Sequence, residues 1–582
     1  MNQPASTQSS ILSMLHGRAS LRPDDIAFTF TDYDGDPSGV AQSLTWSVLA
    51  RRTINVAREI RRHGAVGDRA LILAPQGLEY ILAFLGSMQA GLIAVPLPLP
   101  HRGSGHDRVS AVFADTEPTV VLTTSAAATD VAEFVASSRT DPAIIEIDSL
   151  ALDSDYSGAE TDLGPVGLSD IAYLQYSSGS TRLPTGVMIS HRNLTANFDQ
   201  LMRSFFARSP LPQDATLVSW LPFYHDMGLV LGVCAPILCG RHAQLTSPVA
   251  FLERPARWVR ALAENPHAWS SAPNFAFDLA ARRTSDEDLA GLDLGGVVGI
   301  ISGAERVESA TLRRFVDRFA HFNFRDHMMR PAYGLAEATV FVASGIWDED
   351  APAGYFDAEA LSAGRVSPSA PRKGTALVRY QVPQSPSLRI VDVDTRRETP
   401  PGVVGEIWVH GDNVASGYWG KPADESTFGA TLLDPSPGTP DGPWLRTGDL
   451  GFVHAGELYV VGRIKDVLII RGRNHYPEDI EATVQAITHG RVAAISVPVN
   501  STEELVTVIE LKKPADLDAE AIRRFGEVKS NVTAAVANAH GLSVADLVLV
   551  PSGSLPTTTS GKIRRAACAE QYRQKQFVRL DG

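Results

Sequence analysis

Residues 173–187 read Tyr-Leu-Gln-Tyr-Ser-Ser-Gly-Ser-Thr-Arg-Leu-Pro-Thr-Gly-Val, a composition suited to holding phosphate. Ser177, Ser178, Ser180 and Thr181 offer four hydroxyls beside Gly179 and Gly186. Glycine lets the main chain approach a ligand closely, so side-chain and backbone donors can both turn toward a polyphosphate. The run is not a Walker loop, because G-x-x-x-x-G-K-[ST] is absent and no lysine follows. Taken alone, a Ser/Gly run also reads as a flexible loop. Near the C-terminus, Leu555–Arg565 carries Lys562 directly after Gly561. A lysine on such a loop can reach into a cleft and set one compact positive charge where anions must be brought together. A basic tail is the competing reading, and the two are compatible. No convincing Ser-His-Asp or Cys-His set is present, which fits chemistry without a protein nucleophile.

The elements that must position these residues are those of a large α/β chain. At 582 residues, the length suggests three or four domain-sized units, or one large body with a smaller partner. Hydrophobic residues at 44% and charged residues at 20% are those of a folded globular chain, which excludes disorder and fibrous repeats. A net charge of −14 makes nucleic acid a poor partner. Cys234, Cys239 and Cys568 form no C-x-x-C pair, so neither a disulfide framework nor a structural zinc site is expected, and a reducing cytoplasm is the expected location. The apolar run Ile11–Leu15 is too short for a signal peptide, and Met227–Cys239 is too short to cross a bilayer, so no membrane span is expected.

Apolar runs at 70–74, 93–97, 120–123, 143–147 and 297–301 alternate with helical periods at 47–62 and 78–90. That is the pattern of a buried, largely parallel sheet with crossover helices. From 388 to 461 short β-rich runs suggest a small β-barrel or curled sheet, and after Arg463 a separate unit of strands and two helices begins. The stretch 347–379 is rich in Pro and Gly and reads first as a surface loop.

The order of these motifs resembles the adenylate-forming superfamily of acyl-CoA synthetases, nonribosomal peptide adenylation domains and luciferases. Tyr176–Val187 matches that family's Y-[ST]-S-G-[ST]-T-G-x-P-K-G-V motif, with Arg182 in place of a glycine and Thr185 in place of the lysine. The S-G-S-T-R-x-P form, Trp220–Gly228 (WLPFYHDMG) and Tyr333–Val340 (YGLAEATV) resemble the fatty acyl-AMP ligase branch, above all mycobacterial long-chain members that feed polyketide synthases. The resemblance implies a body over residues 1–463, made of two α/β subdomains plus a small β-barrel, and a small mobile α+β domain over 464–582. It implies that Tyr333 and the turn Ser302, Gly303, Ala304 and Glu305 wall an adenine slot, and that Gly334, Leu335 and Ala336 belong to the same ATP/AMP site. By the same likeness Glu337 holds Mg²⁺ against the triphosphate, Asp449 takes the ribose hydroxyls, and Arg463 adds a ribose or phosphate contact. Lys465 and Asp466 then mark the hinge, His225 faces the acyl carboxylate or stands as a structural histidine, and Lys562 is the catalytic lysine.

Adenylation of a long-chain fatty acid by ATP follows from that likeness, with the acyl group passed to the carrier domain of a polyketide synthase. An acyl-CoA synthetase is the enzymatic alternative, and a non-catalytic nucleotide-binding protein that docks a carrier is a third reading. The segment at about 350–375, with Phe356 and Leu361, matches an insertion that in the ligase branch hinders domain rearrangement and CoA access. Trp220, Phe223, Met227, Phe275 and Phe277 are candidate walls of an acyl pocket, although core packing accounts for them equally well. A monomer is expected.

Overall fold

The computed structural model describes residues 9–100, 104–138, 140–154, 166–176, 184–206, 210–345, 353–371, 373–422, 426–470, 473–499, 502–513, 519–558 and 561–581. Among them two large sheets carry the body. In the first, the strands Ala143–Glu146, Val120–Thr123, Arg69–Ile72, Ile93–Pro96 and Ile171–Tyr176 run parallel, and Gly186–Ser190 closes the edge antiparallel. Aliphatic runs such as Val120–Thr123 are buried at every position, as a sheet covered on both faces requires. The helix Leu78–Gln89 is apolar nearly all round and lies inside this core, and the amphipathic helix Trp46–Arg61, N-capped by Thr45, packs beside it.

In the second sheet the order is Ala343–Ser344, Met329–Tyr333, Gly299–Gly303, Ala268–Pro273, Thr216–Ser219, His242–Leu245, Ile26–Asp32 and Val40–Thr45. It is parallel except at its two edges. Ligands in open α/β sheets bind outside the carboxyl ends of such strands. Here the ends of Gly299–Gly303 and Met329–Tyr333 deliver the Ser302–Glu305 turn and Tyr333 side by side. The β-rich region is a five-stranded antiparallel sheet ordered Tyr380–Gln381, Glu457–Arg463, Leu445–His454, Gly405–His410 and Ser387–Val391.

After Arg463 a one-turn 3-10 helix, Ile464–Asp466, leads into a small α+β unit. Its sheet, Val492–Val499, Thr502–Leu511 and Val544–Pro551, has one face covered by Pro477–Thr488 and Ala519–His540 and the other by Arg565–Arg573. Cys568 is buried in the second of those faces and Cys234 in the body core, which gives both cysteines a packing role.

The Pro- and Gly-rich stretch has regular structure where it is described. Ala353–Phe356 pairs with Thr375–Val378, and Asp357 caps the short helix Ala358–Ser362. Phe356 meets Phe452 and Tyr459 at 4.8 Å between ring centroids, in a cluster that also contains Leu361 and Tyr476. Each such buried aromatic contributes about 1.5–3 kcal/mol. Phe356, Leu361 and Leu377 therefore dock this stretch on the five-stranded sheet and on the start of the C-terminal unit together. No helix among the described residues is long and apolar enough to cross a membrane.

Arg565 holds the C-terminal unit together. It forks onto Glu481 at 2.6 and 2.7 Å and reaches Glu478 at 2.9 Å and Asp466 at 3.3 Å. Burial raises the Glu481 pKa even against the pull of Arg565. Arg565→Leu would leave that carboxylate uncompensated and should cost about 3–5 kcal/mol in chemical denaturation near neutral pH. Because the folded-state pKa lies above the unfolded one, the deficit should shrink as pH falls through the raised value and should be least below the ordinary glutamate value, where both states are protonated.

Candidate functional site

Asp449 and Arg463 face each other as register partners in the hairpin of Leu445–His454 and Glu457–Arg463. That pairing accounts for their sequence spacing. Arg463 Nε lies 3.1 Å from Asp449 Oδ1, and the Tyr333 hydroxyl donates to Oδ2 at 2.8 Å. Asp449 is buried, and its field raises the Arg463 pKa further above the ordinary value. Burial, then Asp449, push the Tyr333 hydroxyl up and keep it a donor. Tyr333 thus touches the aspartate through its oxygen while its ring stands at the end of its strand.

The turn that presents Asp449 is shaped by a residue that no motif announces. Buried Glu406 accepts from Trp408 Nε1 and Arg446 Nε at 2.9 Å each and from the Gly448 amide at 3.0 Å. Gly448 has φ +70°, a conformation that glycine adopts without strain.

The adjacent turns are tight and strained. Ala304 has φ +67° and Thr339 has φ +70°, both unusual for residues with a Cβ. Gly334 permits the close approach of its own turn to Val340, since a Cβ there would sit 1.8 Å from the Val340 carbonyl oxygen. Leu335 and Ala336 are buried in the same turn. The Ser302 hydroxyl is buried with no hydrogen-bond partner among the described residues, which leaves it free for a ligand. Glu305 accepts from the Phe275 amide at 2.9 Å, and burial pushes its pKa up. Glu337 lies on a 3-10 turn, and one of its oxygens takes the Tyr418 hydroxyl at 2.8 Å.

Lys562 arrives from the C-terminal unit on a small hairpin. Thr557 bridges Ile563, the Thr558 amide donates to the Lys562 carbonyl at 2.7 Å, and Gly561 turns the chain at φ +83°. The side chain comes within electrostatic reach of Asp226, Glu305, Asp449 and Arg463. Burial and Arg463 lower its pKa, and the three carboxylates oppose them. His225 Nδ1 pairs with Asp226 Oδ1 at 2.6 Å. Burial acts to raise the Asp226 carboxyl, but His225 and Lys562 outweigh it, so its pKa falls below the ordinary value. Asp226 also caps Met227–Cys234, a π-helical segment of the kind found at functional sites.

The C-terminal unit is held against this site by Arg306, next to Glu305, which binds Asp479 of the helix Pro477–Thr488 at 2.5 Å. Of the expected hinge residues, Lys465 is exposed, and Asp466 is bound by Arg565.

A cavity of about 30 Å³ opens between Asp226, Gly303, Ala304, Tyr333 and Gly334, and continues between Leu201, Leu231, Ile301 and Phe341. Of the five candidate acyl-pocket residues it touches Met227. Trp220 stacks on Phe251 at 3.8 Å, with Phe275 edge-on at 6.2 Å. Phe277 packs on Trp258 and Phe315, and Phe223 on Tyr80, inside the core. The expected phosphate-loop residues Ser177, Ser178, Gly179, Ser180 and Thr181 lie outside the described residues. Sequence reasoning took Glu305 only as part of the adenine-wall turn and passed over Asp226, Arg306, Glu406 and Tyr418. Asp226 and Arg306 sit inside or beside the quoted motifs, while the last two act across 40 to 80 residues with no local pattern.

Residues 15–419 match the family model described as AMP-binding enzyme, and residues 465–580 match that of Disco-interacting protein 2-like, AMP domain. The chain is 61% identical over 582 residues to "Putative fatty-acid–CoA ligase FadD21" of Mycobacterium tuberculosis, covering 99% of this chain and 100% of that one. It is 57% identical over 581 residues to Long-chain-fatty-acid–AMP ligase FadD28 of the same species, covering 98% and 99%. A fatty acyl-adenylate ligase from L. pneumophila, solved with acyl adenylate and pyrophosphate, superposes with a TM-score of 0.72 at 32% identity over 98% of each chain.

Glu406→Ala should strip Arg446, Trp408 and the Gly448 amide of their shared acceptor. We expect a loss of about 3 kcal/mol in denaturation, accompanied by weaker AMP binding in calorimetric titration as the Asp449 turn relaxes.

Proposed function

The chain belongs to the AMP-binding enzyme family, and we propose that it activates a long-chain fatty acid with ATP, forming acyl-AMP and releasing pyrophosphate. The observation that carries this reading is the Lys562 ammonium within electrostatic reach of Asp226, Glu305 and Asp449, with Asp226 also lining the cavity. The acid's carboxylate attacks the α-phosphate, a bond forms between them, and the bond to pyrophosphate breaks. Two anions must meet, so the protein's task is to position them and offset their repulsion. Lys562 would bridge carboxylate and α-phosphate. Asp449 and Arg463 would hold the ribose, and the Ser302–Ala304 turn and the Tyr333–Ala336 segment the adenine. With Nδ1 on Asp226, His225 has Nε2 left to face the acyl carboxylate. Ser177, Ser178, Gly179, Ser180 and Thr181 would hold the phosphates. Mg²⁺ suits the site, since Glu337 keeps one carboxylate oxygen apart from Tyr418 and the ion commonly takes one carboxylate plus phosphates. Bound there, it would neutralise phosphate charge.

In this reading the body ends at Arg463 and the mobile domain begins at Ile464, with Lys465 and Asp466 at the joint. The acyl group then passes to the phosphopantetheine thiol of a polyketide synthase carrier domain. The docking of residues 353–378 supports that choice, because Phe356 and Leu361 share a cluster with Tyr476 and Glu359 pairs with Arg473 at 3.0 Å. Transfer to CoA is the second reading, favoured by the name of the 61% identical relative.

Lys562→Ala should lower acyl-AMP formation by about two to three orders of magnitude while MgATP still binds, and unchanged turnover would remove the lysine from the mechanism. In the unmodified protein, the rate that needs the charged lysine should fall as pH rises through its lowered pKa. Mass spectrometry of products from a panel of medium- to long-chain acids, with and without CoA and a holo-carrier domain, separates the two transfer readings. Acyl-AMP should accumulate in the presence of CoA, and acyl-CoA made as fast as acyl-AMP would decide for the synthetase.

A further inference from the structure

The family motif matched by Tyr176–Val187 has a lysine where this chain has Thr185, so the segment gives up one positive charge next to the run expected to hold phosphate. The fold returns a lysine to that place from far along the chain. Lys421 Nζ donates to Thr185 Oγ1 at 3.3 Å. The segment that carries it is fixed against the strand Gly186–Ser190. Tyr418 bridges Val187, the Trp419 amide donates to the Gly186 carbonyl at 2.7 Å, and the Met188 amide donates to Gly417 at 3.0 Å. Gly420, at φ +66°, then turns the chain so that Lys421 doubles back, its amide on the Tyr418 carbonyl at 3.2 Å.

Tyr418 connects this lysine to the rest of the site. Its hydroxyl holds Glu337, and Lys421 Nζ stands 5.7 Å from the centroid of the same ring. The ammonium and the carboxylate expected to face Mg²⁺ are thus one tyrosine apart. A triphosphate carries about four negative charges, and the cations already described, Lys562 and Arg463, gather around Asp449 at the ribose side. An exposed ammonium one tyrosine from Glu337 suits the distal phosphates.

We propose that Lys421 binds the β- and γ-phosphates of ATP, and the pyrophosphate they become, taking over in space the charge that Thr185 leaves out of the motif. The inference rests on the adenylating reading above and adds to it a phosphate-binding residue outside the motif. A lysine serving only to tie the 417–421 segment to its neighbour strand would act on stability instead.

The test uses the full-length protein and Lys421→Met, which keeps the stem over Tyr418 and removes the charge. Titration calorimetry with magnesium pyrophosphate, MgATP and AMP, together with steady-state KM for ATP, gives the readout. Loss of one charge-assisted hydrogen bond should weaken pyrophosphate and MgATP about tenfold and leave AMP, which lacks both distal phosphates, unchanged. Combining Lys421→Met with Thr185→Lys returns the charge to the motif position and should recover most of the lost affinity. Unchanged pyrophosphate affinity in Lys421→Met, an equal loss for AMP, or no recovery in the double variant would overturn the proposal. Should no acid be adenylated by the unmodified protein while the pyrophosphate effect persists, the adenylating reading fails and the assignment of Lys421 stands.

Discussion

Lys562 reaches the cleft from the C-terminal unit, and burying its ammonium there is costly unless negative charge is waiting for it, so the surrounding residues are arranged around that requirement. Asp226, Glu305 and Asp449 supply the charge, and each is held by a separate partner: His225, the Phe275 amide, and the pair Tyr333 and Arg463. None of the three can swing away to meet the lysine, so the lysine must be brought to them. That task falls to Arg306 and Arg565. Arg306 joins the body to Asp479, and Arg565, three residues beyond Lys562, grips Glu481 on the same helix. A short chain of ion pairs therefore runs from the turn beside Glu305 to the hairpin that presents the lysine.

The strain around the cavity belongs to the same arrangement. Positive φ costs on the order of 1–3 kcal/mol at each of Ala304 and Thr339, and Ala304, the π-helical Met227 and Val340, next to Thr339, line one crevice. Strained backbone of this kind persists where the surrounding core over-determines it. The parallel strands Gly299–Gly303 and Met329–Tyr333 do so here, with the Cβ-free approach at Gly334 closing the turn.

Much of this was legible in the sequence, for physical reasons that differ from residue to residue. Aliphatic runs buried on both faces announce parallel strands, and the runs at 120–123 and 143–147 appear as strands at or within one residue of the expected bounds. The spacing from Asp449 to Arg463 became meaningful through a hairpin whose register makes them opposite partners. Glu406 and Tyr418 were not legible, because a buried acceptor serving a turn 40 residues away has no period or spacing to betray it. The aromatic residues near Trp220 show a different limit. A ring packed in the core and a ring lining a pocket have the same hydrophobicity, so sequence alone could not separate Met227 on the cavity from Phe277 behind it.

On the proposed reading, the choice between CoA and a carrier domain becomes a question of how firmly the C-terminal unit is held. Swinging it away would expose Tyr476 from the cluster of Phe356 and Leu361 and break the pairs Arg306–Asp479 and Glu359–Arg473. Burial of one aromatic and two partly exposed ion pairs amounts to about 3–4 kcal/mol, a bias of roughly two to three orders of magnitude. A bias of that size does not forbid rearrangement; it sets how much differential binding energy an acceptor must bring. A folded carrier domain docking across both units can bring it through an extended interface, whereas a small free thiol cofactor makes few contacts that distinguish the two arrangements. Selectivity for a carrier would then need no steric block against CoA, because the packing around Phe356 and the pair at Arg306 set a threshold that the wider interface of a carrier would meet more readily.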